Sequence, residues 1–220
     1  MGWSSVLKSL LTVFVFSILA VCSVESYNCT KQLCQGGPCL WDGQTCVTSV
    51  GCFNQIQKLE TPSSSTNQEI VQKGCAENAK SCDLEFSATL GNQQKFRYKN
   101  QCCYTEKCNK DNINLSPSSS EVNGVECLSC YNEKNKTCPT TTIKCTGAEK
   151  KCVEVTGTDP TSTLVLYGKG CATENTCALD MIVLNSVKIK TSCIPATNGS
   201  PSLKSIASLP VVLFLLKILL

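Results

Sequence analysis

The fold is decided by a stretch of eight residues, Cys102-Cys103-Tyr104-Thr105-Glu106-Lys107-Cys108-Asn109. Its three cysteines end a series of ten that begins at Cys29. The whole chain has 19 cysteines among 220 residues, a content typical of disulfide scaffolds rather than of ordinary hydrophobic cores. A unit of roughly 80 residues can build only a small core and usually needs such covalent staples.

A second series of cysteines repeats the first. Six residues lie between the third and fourth cysteine of both series. The segment Lys73-Gly74-Cys75-Ala76 occurs again as Lys169-Gly170-Cys171-Ala172. We interpret this as an internal duplication, with one domain at 27–112 and a second at 125–198. The segment between them, 113–124, is polar and rich in serine, which is typical of a linker.

The long gaps between cysteines predict β-hairpins. They carry β-branched and aromatic residues on both sides of turn-forming residues, which favours strands over helices. Each domain is therefore predicted to be a small all-β unit with three hairpin loops tied at a cysteine-rich base. The predicted hairpin tips are 61–67 and Gly91-Asn92 in the first domain, and 156–160 and Asn185-Ser186 in the second.

Both ends of the chain are predicted to be processing signals. Residues 1–26 have Lys8, a short apolar run, and Val24 and Ser26 at the −3 and −1 positions of a signal-peptidase site. Removal of this segment takes Cys22 with it and leaves an even number of cysteines. Asn198-Gly199-Ser200, a polar spacer and an apolar tail indicate glycosylphosphatidylinositol (GPI) attachment at Asn198, with 199–220 removed. The spacer is slightly short, so a neighbouring small residue is the alternative attachment site. A transmembrane helix is the alternative, although it would be short and would carry Pro210 and Lys217.

The closing pattern Cys102-Cys103-x4-Cys108-Asn109, with the seven cysteines before it, resembles the signature of the Ly6/uPAR three-finger family. The resemblance covers nearly all of 27–198. It implies a small disulfide-rich all-β protein of two tandem three-finger domains, similar to two-domain urokinase-receptor-like surface antigens.

Spacing alone leaves many disulfide connectivities open. The resemblance implies the following pairs in the first domain: Cys29–Cys52, Cys34–Cys39, Cys46–Cys75, Cys82–Cys102 and Cys103–Cys108. In the second domain it implies Cys127–Cys152, Cys130–Cys138, Cys145–Cys171 and Cys177–Cys193. The second domain departs from the family, because the last bridge and the closing asparagine fall by spacing on Ile194, Gly199 and Ser200.

Composition excludes several function classes. The chain has no histidine, so it has no Ser-His or Cys-His catalytic pair and no His-ligated metal. The net charge is +3 with both signs interspersed, which offers no stripe for nucleic acid. Cys127-Leu128-Ser129-Cys130 could indicate zinc or redox chemistry, but a secreted chain favours structural disulfides. We therefore expect no enzyme activity, no cofactor and no metal.

Modification and contact sites are predicted on the surface. Glycosylation sequons begin at Asn28, Asn114, Asn135 and Asn198, of which Asn135 lies in a polar loop. Trp41 is either packed against the disulfide base or an exposed anchor for a partner.

We predict a GPI-anchored protein on the outer face of the plasma membrane that binds a protein ligand through its finger loops. The long loop 53–74 is expected to contribute more than its counterpart at 153–170. The alternative is a secreted two-domain inhibitor resembling serum phospholipase A2 inhibitors.

Overall fold

The computed structural model describes residues 25–36, 43–62, 68–79 and 82–198, together with the single residues 9, 10, 12 and 14. The described part is built from thirteen strands, with short 3-10 turns at Gly91–Gln93 and Glu174–Thr176. None of its helical residues forms a helix long and apolar enough to cross a membrane. The architecture confirms the predicted small, disulfide-rich all-β class.

The strands follow the predicted hairpins of the two tandem three-finger domains. In the first half they are β1 (Tyr27–Thr30), β2 (Gln32–Gln35), β3 (Thr45–Thr48), β4 (Cys52–Glu60), β5 (Gln68–Cys75), β6 (Leu84–Leu90) and β7 (Lys95–Cys103). In the second half they are β8 (Val122–Asn132), β9 (Thr141–Thr146), β10 (Lys151–Thr158), β11 (Leu164–Ala172), β12 (Asp180–Val183) and β13 (Val187–Ile194).

One predicted hairpin tip is displaced. β10 continues to Thr158, so the loop of the second hairpin spans 159–163 rather than 156–160. The cause is Asp159, whose carboxylate accepts hydrogen bonds from the backbone N–H groups of Thr161 and Thr163, each at 2.9 Å. An aspartate that bonds its own backbone two residues on is a strong turn former. The Thr161 hydroxyl donates to the same carboxylate. This bond has the largest effect, and together the three bonds lower the pKa of the Asp159 carboxyl.

The predicted linker is shorter than its sequence suggested. β8 already begins at Val122, which pairs with Thr146 of β9. The side chain of Asn123 donates to the carbonyl oxygens of Gly147 and Glu149, both at 3.0 Å. These contacts extend the strand into the last residues of the polar segment 113–124.

The chain forms two compact units. Unit 1 comprises Met1–Lys58, Asn67–Glu85 and Tyr98–Leu115, and unit 2 comprises Leu59–Thr66, Phe86–Arg97 and Ser116–Leu220, each as far as it is described. The units therefore do not follow the sequence boundary between the two predicted domains everywhere. Residues 59–66 and 86–97, at the ends of two hairpins of the first half, are part of unit 2.

In unit 1, β1 and β3 form a two-stranded antiparallel sheet, and β2 pairs with β5. Cys29, Cys52 and Ile70 are fully buried, and Tyr98 is 2% exposed. The Tyr98 hydroxyl donates to Gln55 Oε1 at 2.9 Å, and burial raises its pKa to about 12. This core lies at the base of the hairpins, as the cysteine pattern predicts.

In unit 2, the strand order is β12-β13-β10-β11, and β8 pairs with both β11 and β9. Residues 88–90 of β6 add antiparallel to 170–172 of β11. The core contains a cluster of four disulfide sulfurs, from Cys127, Cys145, Cys152 and Cys171, against which Val125, Ile143, Ile194 and Ala196 pack. Covalent sulfur pairs thus take the place that large aliphatic side chains fill in bigger domains.

Candidate functional site

A cavity lined mainly by apolar side chains lies on the sheet of unit 2, and we call it the apolar cavity. Its volume is about 190 Å³. Its walls come from several strands, and the aliphatic and phenylalanine side chains on them are those of Leu59, Phe86, Ala88, Leu90, Phe96, Val155, Val165, Leu166, Val183, Leu184, Val187 and Ile189. A cavity of this size and lining can hold an apolar group the size of a ring or a branched side chain.

The alternating pattern of the strands creates the cavity. In β6, Phe86, Ala88 and Leu90 are buried while the residues between them are half-exposed. In β13, Ile189 and Thr191 are buried while Lys188 and Lys190 are exposed. Because side chains alternate between the two faces of a strand, each strand presents one apolar row to the same side.

Aromatic side chains shape the cavity walls. The rings of Phe86 and Phe96 are tilted against each other with centroids 5.9 Å apart. Tyr131 also lines the cavity, while its hydroxyl donates to Glu133 Oε1 at 3.2 Å. Burial, reinforced by the Glu133 carboxylate, raises the pKa of Tyr131 to about 12. The tyrosine is therefore neutral at physiological pH and brings no charge to the cavity lining.

The stem of the hairpin that leads to the predicted contact loop is held in unit 2. Leu59 lines the apolar cavity, Glu60 Oε1 accepts from Arg97 at 2.9 Å, and Thr61 Oγ1 donates to Gln94 Oε1 at 2.9 Å. The tip beyond Pro62 falls outside the described residues, which resume at Gln68. The expectation that 53–74 dominates ligand contacts therefore stays a prediction.

The predicted disulfide cysteines lie at the bases of the hairpins. The described bridges are Cys29–Cys52, Cys46–Cys75, Cys82–Cys102, Cys103–Cys108, Cys127–Cys152, Cys130–Cys138, Cys145–Cys171 and Cys177–Cys193. These are the pairs that the resemblance implies. Cys34 is also disulfide-bonded, and its expected partner Cys39 lies outside the described residues.

The cysteines offer no thiolate for metal binding within the described residues. Two groups of three sulfurs each come within 4.8 Å of one another, Cys29 with Cys46 and Cys75, and Cys127 with Cys145 and Cys171. All six are disulfide-bonded. Zinc is ligated by the deprotonated thiol, so a disulfide sulfur is a poor ligand.

The predicted glycosylation sites differ in accessibility. Asn135 and Asn114 lie outside the strands, and Asn135 is exposed. Asn28 lies in β1 opposite Val47, and its Oδ1 is buried. Trp41 lies outside the described residues.

Asn198 has a role that spacing did not reveal. Its Oδ1 accepts from the backbone N–H of Glu126 at 2.9 Å, and its Nδ2 donates to the carbonyl oxygen of Gly124 at 2.7 Å. In unit 1, Asn109 makes the equivalent side-chain contacts with the backbone of Thr30. Asn198 thus fastens the end of the described second domain to the start of β8, while Ser200, on which the closing asparagine falls by spacing, lies outside the described residues.

Sequence reasoning also missed Glu149, which stands in the polar run Ala148-Glu149-Lys150-Lys151. The side chain is 3% exposed, and its Oε1 accepts from the Ser87 hydroxyl at 2.7 Å. Burial raises the pKa of the Glu149 carboxyl, although the polar groups of Ser87 and Thr89 and the charge of Lys95 oppose the rise. No signal in the sequence separates this glutamate from solvated ones.

Comparisons with known proteins agree with the fold. No family model matches the chain. It is 46% identical over 213 residues to Protein RoBo-1 of Rattus norvegicus, covering 95% of this chain and 86% of that protein. It is 30% identical over 174 residues to the Phospholipase A2 inhibitor 25 kDa subunit of Naja kaouthia, covering 76% of this chain and 89% of that protein.

A further relative carries the family name. The chain is 26% identical over 180 residues to Ly6/PLAUR domain-containing protein 8 of Bos taurus, covering 78% of this chain and 76% of that protein. Among solved structures, mouse TEX101 is similar with a TM-score of 0.38 at 13% identity, covering 76% of this chain and 97% of that one. On these sequence similarities and its disulfide-tied hairpins, the chain belongs to the Ly6/uPAR family of three-finger proteins.

Proposed function

We propose that the chain is a GPI-anchored cell-surface protein that binds a protein ligand through its finger loops. Family membership supports the coarser statement, that it is an extracellular, non-enzymatic protein, either at the cell surface or secreted. The observation that carries the ligand-binding part is the apolar cavity, whose walls come from hairpins of unit 2.

The apolar cavity fits the anchor of a protein partner. Binding energy at protein interfaces is concentrated in a few large side chains that fill desolvated pockets. A leucine or phenylalanine side chain of a partner matches the lining of Phe86, Leu166 and Ile189, and its burial would contribute about 2 kcal/mol. The relatives named phospholipase A2 inhibitors act, by their name, on a protein, which supports a protein ligand here.

The proposed anchor would sit close to the folded base of the second domain. Besides the two Asn198 contacts, the backbone N–H of Thr197 donates to the carbonyl oxygen of Glu126 at 2.8 Å. A GPI group is joined through the backbone carboxyl group of its attachment residue, so the Asn198 side chain keeps these contacts. Attachment at Asn198 would then leave no long stalk between β8 and the lipid.

Release by phosphatidylinositol-specific phospholipase C tests the anchor. Cells expressing the chain with an epitope after Ser26 should lose their surface signal on treatment, and the released protein should end at Asn198. A matched variant in which 199–220 is replaced by an unrelated transmembrane helix should keep its signal. Retention of the wild-type signal, with the tail peptide detected in the mature protein, would overturn the anchor.

A cavity-filling substitution tests the ligand site. Ala88 lines the apolar cavity, so Ala88→Leu should fill it, preserve secretion and weaken saturable binding of the labelled ectodomain to cells about tenfold. Ala148→Leu, on an exposed loop, is the matched control and should bind as the wild type does. Replacing 61–67 with a short Asn-Gly turn tests the contribution of that loop separately. Unchanged binding by Ala88→Leu would exclude the cavity as the contact.

A secreted inhibitor is the second candidate function. The specific observation in its favour is that snake phospholipase A2 inhibitors align with most of the chain, as the protein of Naja kaouthia does over 76% of it. Purified ectodomain should then reduce the rate of a secreted phospholipase A2 at stoichiometric concentration. Full enzyme activity with excess ectodomain would exclude this alternative.

A further inference from the structure

A second cavity of unit 2 has a different chemistry, and we call it the Glu149 cavity. Its volume is about 390 Å³, within the range of small-molecule sites. Its lining is rich in hydroxyl and amide groups, from Thr89, Asn92, Gln93, Ser129 and Thr141 besides Glu149. It shares only Leu90 with the residues that line the apolar cavity.

Two buried polar atoms in this cavity are unsatisfied. Glu149 is 3% exposed and Ser129 is 1% exposed. Within the part of the chain that the structure describes, no donor reaches Glu149 Oε2 or Ser129 Oγ with hydrogen-bond geometry, although the hydroxyl and backbone groups of Thr89 are near enough to Glu149 to lower its pKa. Leaving such groups unpaired lowers the stability of the folded protein, and a charged carboxylate costs more than a hydroxyl. Buried polar atoms of this kind need an explanation, and a ligand that donates to both would supply one.

The oxygen atoms without a partner determine which kind of hydrogen-bond donor fits the Glu149 cavity. Glu149 Oε1 already accepts from the Ser87 hydroxyl, so the two parallel N–H groups of a guanidinium would compete with that bond, whereas a single donor can use Oε2 alone. An ammonium group has three donors that point in different directions and can bond single oxygens on different strands. Among the described residues Glu149 belongs to no group of three or more His, Cys, Asp and Glu side chains, so a divalent cation in this cavity would have only one carboxylate ligand.

The charged groups around Glu149 limit the charge that a ligand can carry. Lys95 is near enough to lower the pKa of Glu149, but its Nζ donates to Ser118 Oγ. Lys144 also lines the cavity and is exposed, so its ammonium group can remain in water. These lysines repel a doubly charged cation more strongly than a singly charged amine.

We propose that the Glu149 cavity binds a primary ammonium group, with Glu149 Oε2 and Ser129 Oγ as acceptors. The group can come from a lysine side chain of a protein partner or from a free small amine. This site is separate from the apolar cavity and does not depend on the proposed anchor or ligand.

Calorimetric titration of the glycosylated ectodomain tests the proposal. The probes are propylammonium chloride, its neutral analogue 1-propanol, and Nα-acetyl-lysine methylamide, all at constant ionic strength in phosphate buffer. Propylammonium should bind at least tenfold more tightly than propanol. Stronger binding of the lysine derivative than of propylammonium would indicate a protein source, and the reverse a small amine.

Variants locate the site. Glu149→Gln keeps the shape of the side chain and should weaken propylammonium binding at least tenfold, and Ser129→Ala should weaken it by a smaller factor. Lys144→Gln should leave binding unchanged or tighten it. If Lys144→Gln were needed before any amine bound, the Lys144 ammonium would itself be the occupant and the proposal would be wrong. Equal binding of amine and alcohol, or of wild type and Glu149→Gln, would also overturn it.

Discussion

The side-chain amide of Asn109 pairs with both backbone groups of Thr30. Its Oδ1 accepts from the Thr30 N–H at 2.9 Å, and its Nδ2 donates to the Thr30 carbonyl oxygen at 2.8 Å. Nδ2 also donates to the carbonyl oxygens of Phe53 and Gly74, at 3.0 and 3.4 Å. Asn109 is 1% exposed, so one amide joins strands β1, β4 and β5 at the centre of the base of unit 1.

Neighbouring residues also hold the segment after Cys108 against the base of unit 1. The Nζ of Lys73 donates to the backbone carbonyl oxygen of Lys110 at 2.6 Å, and the Nδ2 of Asn54 donates to the backbone carbonyl oxygen of Asp111. Lys73 is 4% exposed, and burial lowers its pKa, an effect that the Asp111 charge opposes. The residues that follow Cys108 are therefore held by side chains of β4 and β5 as well as by the bridge.

Asn109→Ala should destabilise unit 1 strongly. The substitution leaves the backbone N–H of Thr30 and three carbonyl oxygens without their partner, at a cost of about 3 kcal/mol in the free energy of unfolding. Denaturant unfolding of the disulfide-intact ectodomain measures it. Asn198→Ala, at the exposed counterpart in unit 2, should cost about 1 kcal/mol. Equal losses for the two variants would contradict the central role of Asn109.

The repeated Lys-Gly-Cys-Ala segment permits a matched pair of glycine substitutions. At Gly170 an added Cβ would lie 2.0 Å from the carbonyl oxygen of Thr89, whose backbone cannot move without disturbing the pairing of β6 with β11. At Gly74 the added Cβ would lie 3.0 Å from the ring of Phe53, a side chain that can shift.

Gly170→Ala should therefore lower stability by at least about 3 kcal/mol or abolish secretion, whereas Gly74→Ala should cost about 1 kcal/mol. Thermal unfolding and secreted yield measure both variants. If Gly74→Ala proved the more damaging, the close approach of β6 to β11 would be wrong.

Sequence analysis predicted the features that depend on residues close together in the chain. It missed those that are formed by residues far apart in the chain. Cysteine spacing and turn residues indicated the hairpins, because strand alternation and turn chemistry act within a few residues. The apolar cavity combines Phe86, Val155 and Ile189, which no pattern within one strand can bring together. Glu149 looked solvated, because its burial depends on Ser87 and Thr89 of β6.

Glu149 should make the stability of unit 2 depend on pH. Burial raises its pKa above the ordinary value of 4.5, so folding favours the protonated form. The stabilisation is fully present below pH 4.5 and is lost as the pH rises through the raised pKa of the folded state. In amine-free buffer at about pH 7, Glu149→Gln should therefore increase the free energy of unfolding, by a gain on the order of 1 kcal/mol that shrinks towards about pH 4.

The matched control for this prediction is Glu174→Gln. Glu174 is exposed and forms a surface ion pair with Lys151 at 3.3 Å, so its substitution should change stability by less than about 0.5 kcal/mol at either pH. A loss of stability in Glu149→Gln at neutral pH would show that the Glu149 carboxylate is paired in the folded protein. A gain that persists unchanged in acid would show that the gain does not come from removing the carboxylate charge.

Glycan occupancy should follow the exposure of the asparagine side chains. Asn135 lies in an exposed loop, where a glycan on its side chain can extend away from the surface. Asn28 has a buried Oδ1, lies opposite Val47 in the sheet and precedes the fully buried Cys29, so a glycan on its Nδ2 would have to displace this packing. Asn135→Gln should therefore shift the electrophoretic mobility of the secreted protein as deglycosylation does, and Asn28→Gln should leave the mobility unchanged. Glycopeptide mass spectrometry that found Asn28 occupied and Asn135 bare would reverse this assignment.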